Sequence, residues 1–479
     1  MPNLSSISNA LNRGLVLPLF IALVGSASLA DSIEQYWDPE FGLPEADSTI
    51  TTLESNGRHL FAGGSFSRIG GIAAQGIAVW DGTRWTALGS GPDSNGASPV
   101  VLSILPHGGK VYVGVIFTRA DSIEASRVAM WDGEQWHSIG EGFDGNVETL
   151  AWFKGSLYAG GVFSMSGDTV VTGLARWTGT EWVPVGKGVT RPREEPIPSV
   201  LFPIPGRDFE TVETAVVRAV ATDRHFLYVA GAFDEAGGVR ANSIAAWDGS
   251  SWHALGKGLQ QIENGPGSFQ IADIAVFEQK LYAGGIFRYA GDVAADGIAV
   301  WNGEQWAGVG ELPAEKIGLI TKLVVDRGIL YAGGRFGSIG MSETDPESNI
   351  VVRWDGTQWA GLGSGPGKRG LLSLAVFNGA LWVGGTIVTG PTPGMNNPSV
   401  FHLPGQLSLM RQNTQVQLSW PRPDSRLGLE SVEQLNSENW IQVESVPQLS
   451  GHRWTVSEPI TGDRKYFRLR QSPSTGNEH

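Results

Sequence analysis

A chain of 479 residues is longer than one small core needs, and 41% hydrophobic with 17% charged residues is the composition of a folded protein, either of several domains or of one large repeat array. A formal net charge of −14, with no run of Lys or Arg against it, argues against nucleic acid and anionic membrane surfaces as partners. The absence of cysteine excludes disulfides, thiol nucleophiles and thiolate metal sites, so packing has to hold the fold, while 66 Gly and 18 Trp point to many turns and many buried aromatics.

The N-terminus carries one cation, Arg13, then an apolar run from Gly14 to Gly25, then Ser28 and Ala30 in a cleavable arrangement. That is the pattern of a secretory signal peptide, because the run is short against the roughly 20 apolar residues of a membrane-crossing helix. Residues 1–30 are expected to be removed near Ala30, leaving a periplasmic, cell-surface or extracellular chain without a transmembrane span.

From there a repeat governs the chain. "LFAGG" at 60, "VYVGV" at 111, "LYAGG" at 157, "LYVAG" at 227, "LYAGG" at 281 and 330, and "LWVGG" at 381 are seven copies of one segment. Six of them carry Phe two residues further on: Phe66, Phe117, Phe163, Phe233, Phe287 and Phe336. Six are followed by a pair of tryptophans five residues apart: Trp80 and Trp85, Trp131 and Trp136, Trp177 and Trp182, Trp247 and Trp252, Trp301 and Trp306, Trp354 and Trp359. An apolar stretch such as "VLSIL", "IADIAV" or "LLSLAV" precedes each copy, so one unit reads as four strands. The first two are joined by a tight turn, and the last two mostly by Asp-Gly or Asn-Gly taken as the centre of a two-residue hairpin.

Four-stranded units recurring about every 50 residues are the pattern of a β-propeller. The "LYAGGxF…WDGxxW" arrangement resembles kelch-type propellers, and more closely the repeats of cell-polarity cortical marker proteins and of exported bacterial propellers, over roughly residues 34 to 404. It is less similar to WD-repeat proteins, whose Gly-His pairs it lacks. The resemblance implies an all-β fold: a seven-bladed β-propeller over residues 31–404, followed by a small C-terminal β module. The seventh unit lacks its outer strand, and "EQYWDPEFGLP" can supply it, so an N-terminal strand within residues 34–43 is expected to close the ring. Tyr36 falls on Trp136 in one register, with Glu40 where the other units have Gly; a register using Trp37 is the alternative.

Twelve paired tryptophans suggest carbohydrate stacking, yet Trp at one position of every unit fits wedge filling between blades better. The glycine pairs lack the helix N-terminus with Lys and Ser/Thr that a phosphate loop needs, which leaves close backbone approach. No metalloprotease, nucleophile-elbow, EF-hand or Walker motif is present, and the eight histidines have no metal-ligand spacing. No cofactor is expected. Kelch-type copper oxidases use a cysteine-crosslinked tyrosine, which this chain cannot make, and the Ser-x-Asp-x-Gly-x-x-Trp boxes of sialidases are absent.

Departures from the repeat carry the functional signal, because loops bear function on a fixed scaffold. The connection between strands two and three and the connection between units open on one face, and both expansions belong to it: "RPREEPIPSVLFPIPGRDFE" from 191 to 210, and "MSETDPES" from 341. Arg191, Arg193, Phe202, Arg207 and Phe209 are the candidate contacts of a protein or polysaccharide ligand. A plain Pro-stiffened excursion is the competing reading of that loop. The chain is expected to be a monomeric, non-enzymatic binding protein; the alternative is an extracellular carbohydrate-active hydrolase or lyase with acidic residues in the central funnel.

After residue 404 the glycine period stops. "LSLMRQNTQVQLSWP", "NWIQVESV", "HRWTVSE" and "KYFRLRQ" read as strands of a separate module over 405–479, similar to sandwich-like C-terminal modules ending near "FRL" in exported bacterial proteins.

Overall fold

The structure is a computed structural model. It describes residues 37–38, 46–89, 91–93, 99–116, 119–120, 123–191, 197–198, 211–212, 215–260, 270–295, 297–310, 317–336, 351–362, 371–385 and 399–403, then 408–412, 415–421, 427–432, 440–450, 453–459 and 465–471. Among these there are strands and no helix. Two compact units emerge, one made of Pro39–Phe377 with Leu381–Phe401, the other built on His402–His479.

The larger unit repeats one antiparallel four-stranded sheet. The first sheet is Ile50–Ser55, Leu60–Gly64, Ile77–Trp80 and Trp85–Ala87. The second is Val100–His107, Lys110–Ile116, Val128–Trp131 and Trp136–Ser138; the third is Asn146–Phe153, Ser156–Val162, Leu174–Trp177 and Trp182–Pro184. The fourth runs Val216–Thr222, Leu227–Ala232, Ile244–Trp247 and Trp252–Ala254; the fifth runs Gln270–Phe277, Lys280–Ile286, Ile298–Trp301 and Trp306–Gly308. The sixth is Ile317–Asp326, Ile329–Phe336, Val351–Trp354 and Trp359–Gly361. Leu371–Phe377, Ala380–Gly385 and Ser399–His402 begin another sheet of the same order. Each opening strand packs on that of the next sheet, and Leu371–Phe377 returns to Ile50–Ser55. This is the architecture of a β-propeller, with the opening strands innermost.

The repeated residues explain the packing between sheets. A Cβ added at Gly160 would stand 2.5 Å from Val217 Cγ1 in the next sheet, and one at Gly384 would stand 2.8 Å from Ile50 Cγ2 in the first, so the first glycine of each pair is a contact point between neighbours. The second glycine meets its own opening strand: at Gly161 a Cβ would fall 2.0 Å from the Asn146 carbonyl oxygen. The second tryptophan of each pair is buried, and from the second sheet to the sixth it donates its indole N–H to the preceding sheet. Trp136 reaches the Leu88 carbonyl at 3.0 Å, Trp182 that of Ile139 at 2.8 Å, Trp252 that of Val185 at 3.1 Å, Trp306 that of Leu255 at 2.8 Å and Trp359 that of Val309 at 2.6 Å. In the third to sixth sheets the first tryptophan lies over a glycine of the preceding sheet, as Trp177 does over Gly140; Trp80 instead meets Trp382, ring centroids 6.2 Å apart, and Trp131 packs on the cluster that holds Phe61 and Leu88. Trp80 and Trp85 pair in the same register as the other five pairs. Both rings of each hairpin therefore occupy the wedge between sheets.

The turns differ from expectation. Positive φ at two successive residues, the requirement of a type I′ hairpin, occurs in the inner turns: Lys154 (45°) with Gly155 (80°), Glu278 (49°) with Gln279 (61°), Arg327 (45°) with Gly328 (78°). In the Trp-to-Trp turns only the glycine is left-handed, at 97° to 110°. The preceding Asp serves instead as an acceptor: Asp132 Oδ1 takes the N–H groups of Glu134 and Gln135, each at 2.8 Å, and Asp355 Oδ1 those of Thr357 and Gln358 at 2.8 and 2.9 Å.

In the smaller unit, Ser408–Gln412, Gln415–Pro421, Arg453–Pro459 and Gln448–Ser450 form one sheet, and Ile441–Gln442, Leu427–Val432 and Tyr466–Gln471 another. Val416, Leu418, Trp420, Leu429 and Val456 make the core between them.

Candidate functional site

Two places answer to function: the face of long connections, and the axis ringed by the opening strands.

On the long-connection face, strand-two-to-three hairpins meet the segments that link sheets. Val189–Thr190 pairs with Glu235–Ala236, which pairs with Val239–Arg240, and Leu259–Gln260 pairs in the same way with Tyr289–Ala290 and Val293–Ala294. The two kinds of connection thus open on one side, as the strand order requires. Arg191 follows directly on Thr190 and is half-buried. Ile197–Pro198 pairs with Thr211–Val212, giving the 191–210 segment a short antiparallel stem. Arg193, Phe202, Arg207, Phe209 and "MSETDPES" lie outside the described residues.

The axis holds charges that no motif announced. Each opening strand of the first six sheets carries a bulge or register irregularity, which leaves one residue unpaired and re-aims its side chain. In the third and fourth sheets those residues are Glu148 and Arg218, whose side chains form an ion pair at 3.5 Å with only 13% and 14% of their surface accessible. One residue past their bulges, Lys322 of the sixth sheet and Asp273 of the fifth lie 3.3 Å apart, and Lys322 also lies 4.0 Å from Glu54, three residues past the bulge of the first. Sheets five and one are not neighbours, so these three groups meet across the interior of the ring. Asp273 is fixed by the Leu323 N–H at 2.9 Å, the counterpart of the Leu53 N–H on Ser373 Oγ at 2.7 Å. Thr321 Oγ1 donates to the Gly333 and Leu371 carbonyls, stitching the sixth sheet to the strand after it.

These surroundings perturb the charges. Burial pushes the Glu54 carboxyl above its ordinary value; the Lys322 ammonium opposes this and Asp273 adds to it. Burial would lower Lys322, but the carboxylates of Asp273 and Glu54 outweigh it and hold the ammonium above the usual lysine range. Lys322 is therefore a fixed cation and no nucleophile at neutral pH. The trio binds itself: one ammonium serves two carboxylates.

Two histidines that follow an outer tryptophan brace turns. His137 Nε2 lies 2.6 Å from Asp132 Oδ2 and His253 Nε2 lies 2.7 Å from Asp248 Oδ2. Backbone N–H of Gln135, then His137, hold the Asp132 carboxyl well below the usual carboxylate range. Among the described residues no group of three or more His, Asp or Glu is arranged for a metal ion, and no helix is long and apolar enough to cross a membrane.

No family model matches the chain, and no curated protein matches it. Among solved structures it is similar to the computationally designed Ika8 protein (TM-score 0.41, 14% identity, 76% of this chain and 98% of that one). It is similar also to YCF48, in a structure with a bound D1 peptide (TM-score 0.42, 11% identity, 76% of this chain and 94% of that one), and to YjhT (TM-score 0.38, 12% identity, 66% of this chain and 99% of that one).

Proposed function

We propose that the mature chain is an exported, non-enzymatic, monomeric propeller of seven blades that binds a protein partner or a polysaccharide through its long-connection face. The cyclic packing of the opening strands supports the seven-fold ring. The strand at Trp37–Asp38 fits the idea that the N-terminus supplies the outer strand after Ser399–His402. Cleavage near Ala30 and a C-terminal module over 405–479 complete this reading.

The observation that carries the binding role is the mutual pairing of the axial charges. Carbohydrate-active hydrolysis needs an uncommitted acid and base flanking the substrate, whereas the axial carboxylates are engaged by cations of the same chain: Asp273 and Glu54 by Lys322, Glu148 by Arg218. The remaining chemistry lies in the outward connections. A glycan array probed with the mature chain, beside a variant with 191–210 shortened, tests this; identical binding by both removes the loop from the model.

One observation favours the enzymatic alternative. Glu54 combines a raised carboxyl with a side chain that keeps 39% of its surface accessible inside the ring, the environment of a general acid. Glycan turnover that vanishes in Glu54→Gln with the fold intact would establish that reading over ours.

A further inference from the structure

The C-terminal module carries a second candidate site, independent of the propeller. Between 405 and 479 the sequence has eight bases and eight acids, so this module is neutral within a chain of net charge −14. On its three-stranded sheet, Leu429, Phe467 and Leu469 face the core. Alternation along the strands turns Glu430, Arg468 and Arg470 to the opposite side, where Glu430 pairs with Arg468 on one flank and Gln442 on the other, and Gly428 pairs with Arg470.

On that outward side one buried carboxylate anchors two guanidinium groups. Arg468 Nε and Nη2 lie 2.8 and 2.7 Å from Glu430 Oε2, and Arg470 Nη1 lies 3.2 Å from Oε1. The Arg468 guanidinium also stacks on Trp440, 4.2 Å from the ring centroid. Glu430 retains 11% of its side-chain surface, while Arg468 retains 31% and Arg470 retains 66%. A single carboxylate thus immobilises two cations and neutralises one, leaving planar donors presented to solvent with little side-chain entropy still to lose. An ion pair serving stability alone needs one arginine.

We infer that this face binds a carboxylate-bearing polysaccharide, a polyuronate chain lying across the open sheet with its carboxylates on Arg470 and Arg468. A planar guanidinium matches a planar carboxylate through two parallel hydrogen bonds. The aromatic ring of Trp440 and the exposed amide of Gln442 border the pair, as a sugar ring with hydroxyls requires. Glu444, exposed and two residues beyond Gln442, limits the patch on that side.

The test is affinity electrophoresis of the full chain in gels containing polygalacturonate, alginate or neutral dextran, with sedimentation on phosphatidylserine vesicles alongside. Retardation by the polyuronates alone, weakened about tenfold in Arg470→Gln and further in the Arg468→Gln/Arg470→Gln pair, is the expected result. Because Arg470 is largely exposed, Arg470→Gln should leave Tm within about 1 °C; shortening 191–210 should leave polyuronate binding unchanged, which separates this site from the propeller's. The inference is overturned by absence of retardation, by full retention in Arg470→Gln, by equal binding to vesicles, or by loss in the 191–210 variant.

Discussion

Trp182→Ala distinguishes packing from ligand stacking as the purpose of the repeated tryptophans. Trp182 is 1% exposed, rests against Phe143 with ring centroids 4.8 Å apart, and donates to the Ile139 carbonyl of the preceding sheet. Truncating such a side chain costs about 3–5 kcal/mol. Over the roughly 360 residues of that unit, an unfolding entropy of about 2.1 cal/mol/K per residue amounts to about 0.8 kcal/mol/K, so Tm should fall by about 4–7 °C. Trp182→Phe keeps an aromatic ring but strands a buried carbonyl, at about 1–3 kcal/mol, so its Tm should fall by about 1–4 °C. Differential scanning calorimetry at several scan rates reads both. If Tm of the Ala variant stays within 1 °C of the parent while glycan or partner binding disappears, the wedge argument fails and the tryptophans are a ligand platform.

Gly160→Val places side-chain atoms where Val217 already sits, and should either prevent folding or cost about 3 kcal/mol by overpacking; soluble yield and urea midpoint check it. Gln279→Gly relieves one of two consecutive non-glycine residues at positive φ and should raise stability by about 1 kcal/mol in urea melts. Lys322→Met leaves Asp273 and Glu54 without their cation, at about 2–3 kcal/mol once the partial exposure of Glu54 is allowed for. That deficit should shrink as pH falls and Glu54, whose carboxyl is raised, takes up its proton. In the parent, Lys322 binds its proton more tightly when folded, so its contribution is intact below the ordinary lysine value of 10.5 and is lost as pH rises through the higher folded value; melts should show a constant advantage over Lys322→Met from pH 8 to about 10, and its loss only above 10.5. Deleting residues 31–45 should lower Tm and promote association by exposing a sheet edge; calorimetry and light scattering read both, and unchanged melting would remove the clasp from the proposal.

What the sequence made legible follows from repetition. A residue recurring at one position of every unit is constrained by the contact between units, so Trp182 and Gly160 could be assigned to packing before any coordinates, and the strand pairing at Val189–Thr190 puts the connection face where strand order requires it. The turns were less legible because Asp-Gly names two residues without saying which one is left-handed; side-chain capping by Asp132 moves that role to the glycine alone. The axial charges were missed for the opposite reason. Glu54, Asp273 and Lys322 lie far apart in the chain, each occurs once, and no local rule joins them. A signal was present in the aligned opening strands: "TTLES", "VETLAW", "VRAVAT", "IADIAV" and "ITKLVV" place a charge where other units put Ser or Leu. A charge on an innermost strand, at the bulge as in Glu148 and Arg218 or just past it as in Asp273 and Lys322, turns to the axis, and an axis shared by the opening strands brings such charges together whatever their separation in sequence. In a repeat fold, then, the common residues identify the scaffold, and the exceptions at the innermost position identify what the scaffold encloses.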